Sequence, residues 1–289
     1  MTNNDITDRR FYKAKQEARF VEKQTPVTPQ TQSEAYKLAF QDKEFLLREE
    51  LRPVRFQLEL LKPEMLLDEA GIASTLVIYG SARIPEPGNA DALIAAATDD
   101  RSRIIAQRLK EKSRFYDEAR NLARLASECN IADETGRHFV VCSGGGPSIM
   151  EAANRGAHDV GRDSIGLNIV LPHEQAPNIY VTPDLSFQFH YFALRKMHFL
   201  LRARAVAVFP GGFGTFDEFF ELLTLVQTGK VEAMPIMLFG RDFWNRVINF
   251  DELILEGTVS PKDVNLFQFV DTAEEAWSAI CNFYNLPSG

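Results

Sequence analysis

The sequence predicts an α/β fold, a doubly wound, mostly parallel sheet with helices on both faces, and three observations predict it. Short apolar runs recur along the chain, as at 75–79 and 205–209. Segments with helical spacing separate them. Two of the runs end in glycine-rich turns that lead into a helix, at 143–147 and 210–215. Strands that are apolar throughout are buried on both faces, and their alternation with helices gives the parallel arrangement.

The elements follow in order. Residues 1–70 read as a polar arm and a helical extension, and 71–289 as the main domain. The arm, to about residue 35, is polar and charged, and QTPVTPQTQS has the composition of a linker. From Lys43 onward, Phe45, Leu46, Leu51, Phe56, Leu58, Leu60 and Leu61 recur at roughly helical spacing, while Pro53 should break or restart the helix. A strand at 75–79 runs into the turn Gly80-Ser81-Ala82-Arg83. Residues 84–101 read as a loop or short-helix insertion, followed by one long amphipathic helix to about Glu128. A strand at 138–142, a helix at 148–158, and strands at 164–169, 205–209 and 235–239 come next. Helices around 244–256 and 272–284 close the chain.

Composition narrows the chemistry. With 32 basic and 40 acidic residues the formal charge is −8, and the pI is about 5.3. Such a surface does not suit neutralising nucleic-acid phosphates or an acidic membrane, although a local pocket can still hold a small anion. Cys129, Cys142 and Cys281 are too few and too scattered for a disulfide framework or a zinc cluster, which suggests a reducing compartment. The N-terminal residues lack the apolar core of a signal peptide, and no apolar run approaches the roughly 20 residues of a membrane span. The expectation is a soluble, cytoplasmic protein.

Two turns can carry chemistry. Gly144, Gly145 and Gly146 allow positive φ and close backbone approach, and Pro147 suits the first turn of a helix. The N–H groups and dipole of that helix would attract a phosphate, although a tight strand-to-helix turn explains the same residues. The second turn, Pro210 to Glu218, carries Gly211, Gly212, Gly214 and Thr215. It closes with no Lys-Ser or Lys-Thr, so it is not a phosphate loop of the Walker type, and its glycine spacing is not the dinucleotide fingerprint. A helix starting at Thr215 would place Glu218 in its first turn, where the two could form a capping box. Spacing alone leaves Glu218 open between cap and catalyst.

At this point the residues carry a resemblance. PGGFGTFDE is similar to the PGGxGTxxE motif of the Lonely Guy family, also labelled lysine-decarboxylase-like, whose members release the free base from cytokinin or adenosine monophosphates. Phe192-Ala-Leu-Arg195-Lys196-Met197 resembles the arginine-lysine helix that precedes that motif, and the stretch from Gly144 to Ala157 resembles the family's other phosphate-side turn and helix. The resemblance covers roughly 75–284 and implies a Rossmann-like nucleotide-binding catalytic domain. It assigns catalytic roles to Arg195 and Glu218, and substrate contacts to Gly211, Gly212, Gly214, Thr215 and Thr224. Gly80 and Ser81 of the first turn, Gly144, Gly145 and Gly146 of the second, and Lys196 complete the expected substrate-binding set. The sequence departs from the family's short members in its N-terminal extension, in the 84–101 insertion, in reading GSAR after the first strand, and in Ser148 where glycine is frequent.

The implied chemistry makes sense of these residue types. Breaking a ribosyl–nitrogen bond builds positive charge on the sugar, which a carboxylate stabilises, and the same carboxylate can activate water. A guanidinium can stabilise the departing base or orient the nucleotide without losing its proton. The expected function is hydrolysis of a nucleoside 5′-monophosphate to free base and ribose 5-phosphate with no metal and no organic cofactor. A non-catalytic nucleotide sensor is the competing reading, and a nucleotide-dependent oxidoreductase lacks its fingerprint. Decarboxylation would need a Schiff-base lysine, which nothing around Lys196 or Lys230 singles out. His190 and His198 read as packing or surface histidines on one helix, and Glu174 as a solvated loop residue within reach of the ribose or base. The partner expected is a small nucleotide, with neither nucleic acid nor membrane, in a homo-oligomer of two or more copies.

Overall fold

The structure, a computed structural model, describes residues 12–172 and 176–286, and the chain divides into two units, 1–58 and 59–289. The described part of the first unit is largely helical: α1 (Ala14–Gln24), the short α2 (Lys43–Leu46) and the start of α3 (Arg52–Glu69). Pro53 lies in the first turn of α3, after a 3-10 turn at Glu49–Leu51, so it restarts the helix as expected. Arg55 Nη1 donates to the carbonyls of Leu46 (2.9 Å) and Arg48 (2.6 Å), which satisfies the end of the preceding short helix. Tyr12, Phe20, Tyr36 and Phe40 are exposed.

In the second unit β1 (Thr75–Tyr79) is followed by α4 (Ala90–Ala95), α5 (Asp100–Lys112) and α6 (Arg114–Cys129). The insertion therefore contains a short helix, as the sequence suggests, but the single long helix expected after it is two. They meet at Ser113, whose hydroxyl donates to the Lys110 carbonyl at 2.7 Å and so competes with the helical ladder. A small hairpin, β2 (Ala132–Asp133) and β3 (Gly136–Arg137), leads to β4 (Val140–Ser143), which starts two residues later than predicted. The chain continues through α7 (Ile149–Asp159), β5 (Ser164–Ile169), β6 (Ser186–Phe189), α8 (Phe192–Leu201), β7 (Ala203–Val208) and α9 (Phe213–Gln227). It ends with β8 (Ile236–Phe239), α10 (Arg241–Val247), α11 (Phe250–Leu255), β9 (Gln268–Val270) and α12 (Ala273–Tyr284). His190 precedes α8 rather than sharing it with His198.

The main sheet has seven strands in the order β6-β5-β4-β1-β7-β8-β9, and every pairing is parallel. This is the doubly wound, Rossmann-like α/β arrangement. Side-chain alternation along the strands serves two helical layers. Leu76, Ile78, Val141, Ala205, Ala207 and Phe239 face one core with α6, α7 and α12, in which Phe209 stacks on Phe239 at 4.0 Å. Tyr79 points the other way and meets Phe199 of α8 edge-on at 5.0 Å. The strand order runs outward in both directions from β1, so the chain reverses between β1 and β7. Open α/β sheets form a crevice at the carboxyl ends of the strands where this happens. The turns after β1, β4 and β7 all open there.

Candidate active site

A cavity of about 900 Å³ occupies this crevice. Gly80, Ser81 and Arg83 line it from the β1 turn, Gly144 and Met150 from the β4 turn and α7, and Asn168, Ile169 and Leu171 from the end of β5. Phe187 and Gln188 of β6 and Phe192 of α8 add a largely apolar wall. Gly212, Phe213, Gly214, Thr215 and Glu218 close it from the start of α9, with Arg195 of α8 beside them.

Arg195 and Glu218 meet in this cavity. Arg195 Nη1 donates to Glu218 Oε1 at 3.3 Å, with only 10% and 13% of the two side chains exposed. Arg195 is fixed further by its Nε, which donates to the Leu167 carbonyl at 2.6 Å, and by the ring of Phe199 under the guanidinium at 5.0 Å. A buried arginine needs several such partners, because an unpaired charge in this environment is costly. The glutamate is less compensated. Burial pushes the Glu218 carboxyl up to about 7, while Arg195 pulls it the other way.

The glycines have separable duties. A Cβ on Gly144 would lie 2.6 Å from Arg195 Nη2 and 2.7 Å from Met150 Sδ, so this glycine makes room for the arginine. Gly145 has φ of +70° and abuts Asn168. A Cβ on Gly211 would come within 2.2 Å of Thr215 Oγ1, whereas Gly212 and Gly214 face open space. The latter two are therefore where a ligand can approach the backbone.

Helix α9 begins at Phe213 with Gly212 as its N-cap, not at Thr215. No side chain caps it, so the capping box between Thr215 and Glu218 does not form; Thr215 sits within the first turn, and Glu218 reaches Arg195 instead. The helix start is left open toward the cavity, an arrangement suited to an anion.

Of the other expected site residues, Gly145 and Gly146 lie behind the cavity wall, and Gly211 packs under Thr215. Lys196 turns away to Asp217 and Glu221, at 3.1 Å from each. Thr224 is exposed and donates to the Phe220 carbonyl at 2.8 Å, away from the cavity. His198 is buried and packs on Phe189, in keeping with a packing role, and Glu174 lies outside the described residues. Among the described residues no His, Cys, Asp and Glu cluster could hold a metal ion, and no helix is long and apolar enough to cross a membrane.

Sequence reasoning missed the support beneath the β4 turn. Asn178 Nδ2 lies within hydrogen-bond distance of the carbonyls of Gly145 (3.2 Å) and Gly146 (3.0 Å) and of Asn154 Oδ1 (2.9 Å). The buried Asn154 accepts in turn from Ser143 Oγ at 2.7 Å, whose oxygen accepts from Gly145 N–H at 3.0 Å. The turn is thus held by a closed set of amide and hydroxyl bonds. Ser148, where glycine is frequent in the family, has φ of +67° and donates its hydroxyl to the Ile84 carbonyl, tying this turn to the segment after β1.

The sheet and its crevice, with a buried arginine–glutamate pair between two glycine turns, define a Rossmann-like α/β protein. A family model described as "possible lysine decarboxylase" matches residues 150–280, and this match and the relatives below support membership of the Lonely Guy, lysine-decarboxylase-like family. The chain is 29% identical over 153 residues to the cytokinin riboside 5′-monophosphate phosphoribohydrolase LOG2 of Arabidopsis thaliana, covering 52% of this chain and 67% of that protein. It is 27% identical over 169 residues to the protein of the same description named LOG3, also of Arabidopsis thaliana, covering 57% and 74%. Among solved structures, the molybdenum cofactor carrier protein of Chlamydomonas reinhardtii superposes with a TM-score of 0.43 at 14% identity, over 73% of this chain and 99% of that one. A superposition that loose carries no chemistry across.

Proposed function

We propose that the protein is a nucleoside 5′-monophosphate phosphoribohydrolase that cleaves the N-glycosidic bond of adenosine monophosphate or a cytokinin riboside monophosphate. The observation that carries this reading is the buried Arg195–Glu218 pair, 3.3 Å apart at the wall of a cavity that two open glycines also line. The relatives named above as phosphoribohydrolases support the reaction class. In this reading the phosphate sits at the start of α9, against the backbone of Gly212, Gly214 and Thr215, with Gly80 and Ser81 on its other side. The apolar wall from Ile169 to Phe192 receives the base.

Glu218 stabilises the positive charge that grows on the ribose as the bond to the base lengthens, and takes a proton from the attacking water. The hydroxyl of that water bonds to the anomeric carbon, the bonding pair leaves with the base nitrogen, and the base gains a proton. Arg195 holds Glu218 and donates toward the departing base or the sugar, without itself changing protonation. A carboxyl near 7 suits this work close to neutral pH, because it is ionised in a large fraction of molecules yet remains basic enough to accept a proton. The protein acts as a homo-oligomer of at least two copies. Incubation of the purified protein with adenosine monophosphate, followed by chromatography, should yield adenine and ribose 5-phosphate. Intact nucleotide after prolonged incubation, with tight binding retained, would favour a nucleotide sensor instead.

A further inference from the structure

The helix that carries Arg195 is held from outside the cavity by the part of α3 between Glu59 and Glu69. At its start, the Glu59 carboxylate accepts from two successive backbone N–H groups, that of His190 on Oε1 at 3.0 Å and that of Tyr191 on Oε2 at 3.2 Å. Tyr191 is the N-cap residue of α8, and its side chain does not cap the helix. A carboxylate supplied by another helix serves there instead, at the end where the helix dipole favours negative charge. In its middle, His198 Nε2 donates to the Glu59 carbonyl at 3.1 Å. At its end, Arg202 reaches Glu64 at 3.1 Å and Asp68 at 2.7 Å.

The first of these contacts bears on the turn that carries Arg195. The backbone N–H of Arg195 donates to the Tyr191 carbonyl at 3.1 Å, so the residue capped by Glu59 also sets the turn on which Arg195 stands. The guanidinium has little freedom to absorb a shift of that turn. Its Nε is 2.6 Å from the Leu167 carbonyl, its Nη1 is 3.3 Å from Glu218, and the space at Gly144 is closed to even one added carbon. We propose that Glu59 is a positioning residue for Arg195: by capping α8 from α3 it fixes the guanidinium against Glu218 in the reactive geometry. The proposal rests on the phosphoribohydrolase reading, and its structural half can be tested without it.

The test uses the full chain with Glu59→Ala and Glu59→Gln, each made in the wild-type and Arg195→Ala backgrounds. Base release from adenosine monophosphate is read as separate kcat and KM values. Glu59→Ala should lower kcat about tenfold or more, as small misplacements of a reacting group do, with KM within about twofold of wild type. Glu59→Gln retains one acceptor oxygen and should recover part of the loss. In the Arg195→Ala background the Glu59 change should cost nothing further, because the residue acts through Arg195. An unchanged kcat in Glu59→Ala, or the same factor lost in both backgrounds, would overturn the proposal. Hydrogen exchange at the amides of residues 190–195 is read on the same proteins and should quicken in Glu59→Ala. Wild-type protection there would overturn the proposal whether or not the enzyme turns over, whereas absence of base release from the wild type would fail only the hydrolase reading.

Discussion

Arg195 donates to Glu218 across 3.3 Å in a pair that is almost closed to solvent, and burial nonetheless leaves the carboxyl near 7. Desolvation outweighs one well-placed guanidinium here because Arg195 is shared with the Leu167 carbonyl and meets Glu218 at a single nitrogen in the structure. The Glu218 carboxyl therefore titrates where the protein would work. Base release should rise with pH through about 7 as the carboxylate forms. Stability should move in the opposite direction. The folded carboxyl lies above its ordinary value of 4.5, so the native state holds a proton that the unfolded chain releases, and the group's contribution is present below about 4.5 and lost as pH rises through about 7. The melting temperature of wild type relative to Glu218→Gln should accordingly fall across that window, which thermal melts at successive pH values will check. A difference independent of pH would contradict the assignment.

The open glycines separate binding from folding. Gly212 has φ of −102° and free space where a side chain would go, so Gly212→Val should melt like wild type while raising KM for the nucleotide. Gly145→Ala should do the reverse, losing about 1–3 kcal/mol to strain because φ is +70° and Asn168 occupies the space. Adenosine, which lacks the phosphate, should be a far poorer substrate than adenosine monophosphate when the two are compared by kcat/KM.

Asn178→Ala removes the donor shared by the Gly145 and Gly146 carbonyls and by Asn154. The buried acceptors left behind should cost about 1–3 kcal/mol in urea unfolding. KM should also rise, since the β4 turn would lose its support.

In the second unit, Leu61 and Met65 of α3 and Phe192, Met197 and Leu201 of α8 are exposed. Apolar groups so placed are the usual material of a contact between copies. Light scattering at micromolar concentration should find at least twice the 32.7 kDa protomer mass, and a protomer alone would contradict the expected assembly.

The strands that the sequence reveals clearly are those buried on both faces. The run at 75–79 matches the structure residue for residue, because an uninterrupted apolar segment between turns has few alternative readings, and 164–169 matches as well, with Ile165, Leu167 and Ile169 alternating with smaller or polar residues. β6 and β9 escaped because they are short and carry polar residues such as Gln188 and Gln268, so nothing sets them apart from loop. The catalytic candidates were legible as members of ordered motifs, yet their partnership was not. Arg195 and Glu218 lie on different helices, and only the packing of α8 beside α9 makes them neighbours. Helical phase explains two misplaced residues. Thr224 follows Thr215 by nine residues, about half a turn out of phase, and Lys196 is rotated by about 100° from Arg195, so both face away from the cavity. Asn178 gave no signal, since an asparagine in a loop means nothing until the fold brings it to the β4 turn.

The most direct test of the account is single-turnover release of base from adenosine monophosphate by wild type and Glu218→Gln. In the structure Glu218 caps nothing; it faces the cavity and accepts from Arg195, so glutamine keeps the shape and removes the charge. If Glu218 stabilises the developing ribosyl cation, the rate should fall about a hundredfold or more, while nucleotide binding stays close to wild type and the melting temperature at pH 7 is no lower than that of wild type. Arg195→Ala should lose activity as well, and the double variant should be little worse than the worse single. Base release at the wild-type rate from a well-folded Glu218→Gln protein would contradict the account.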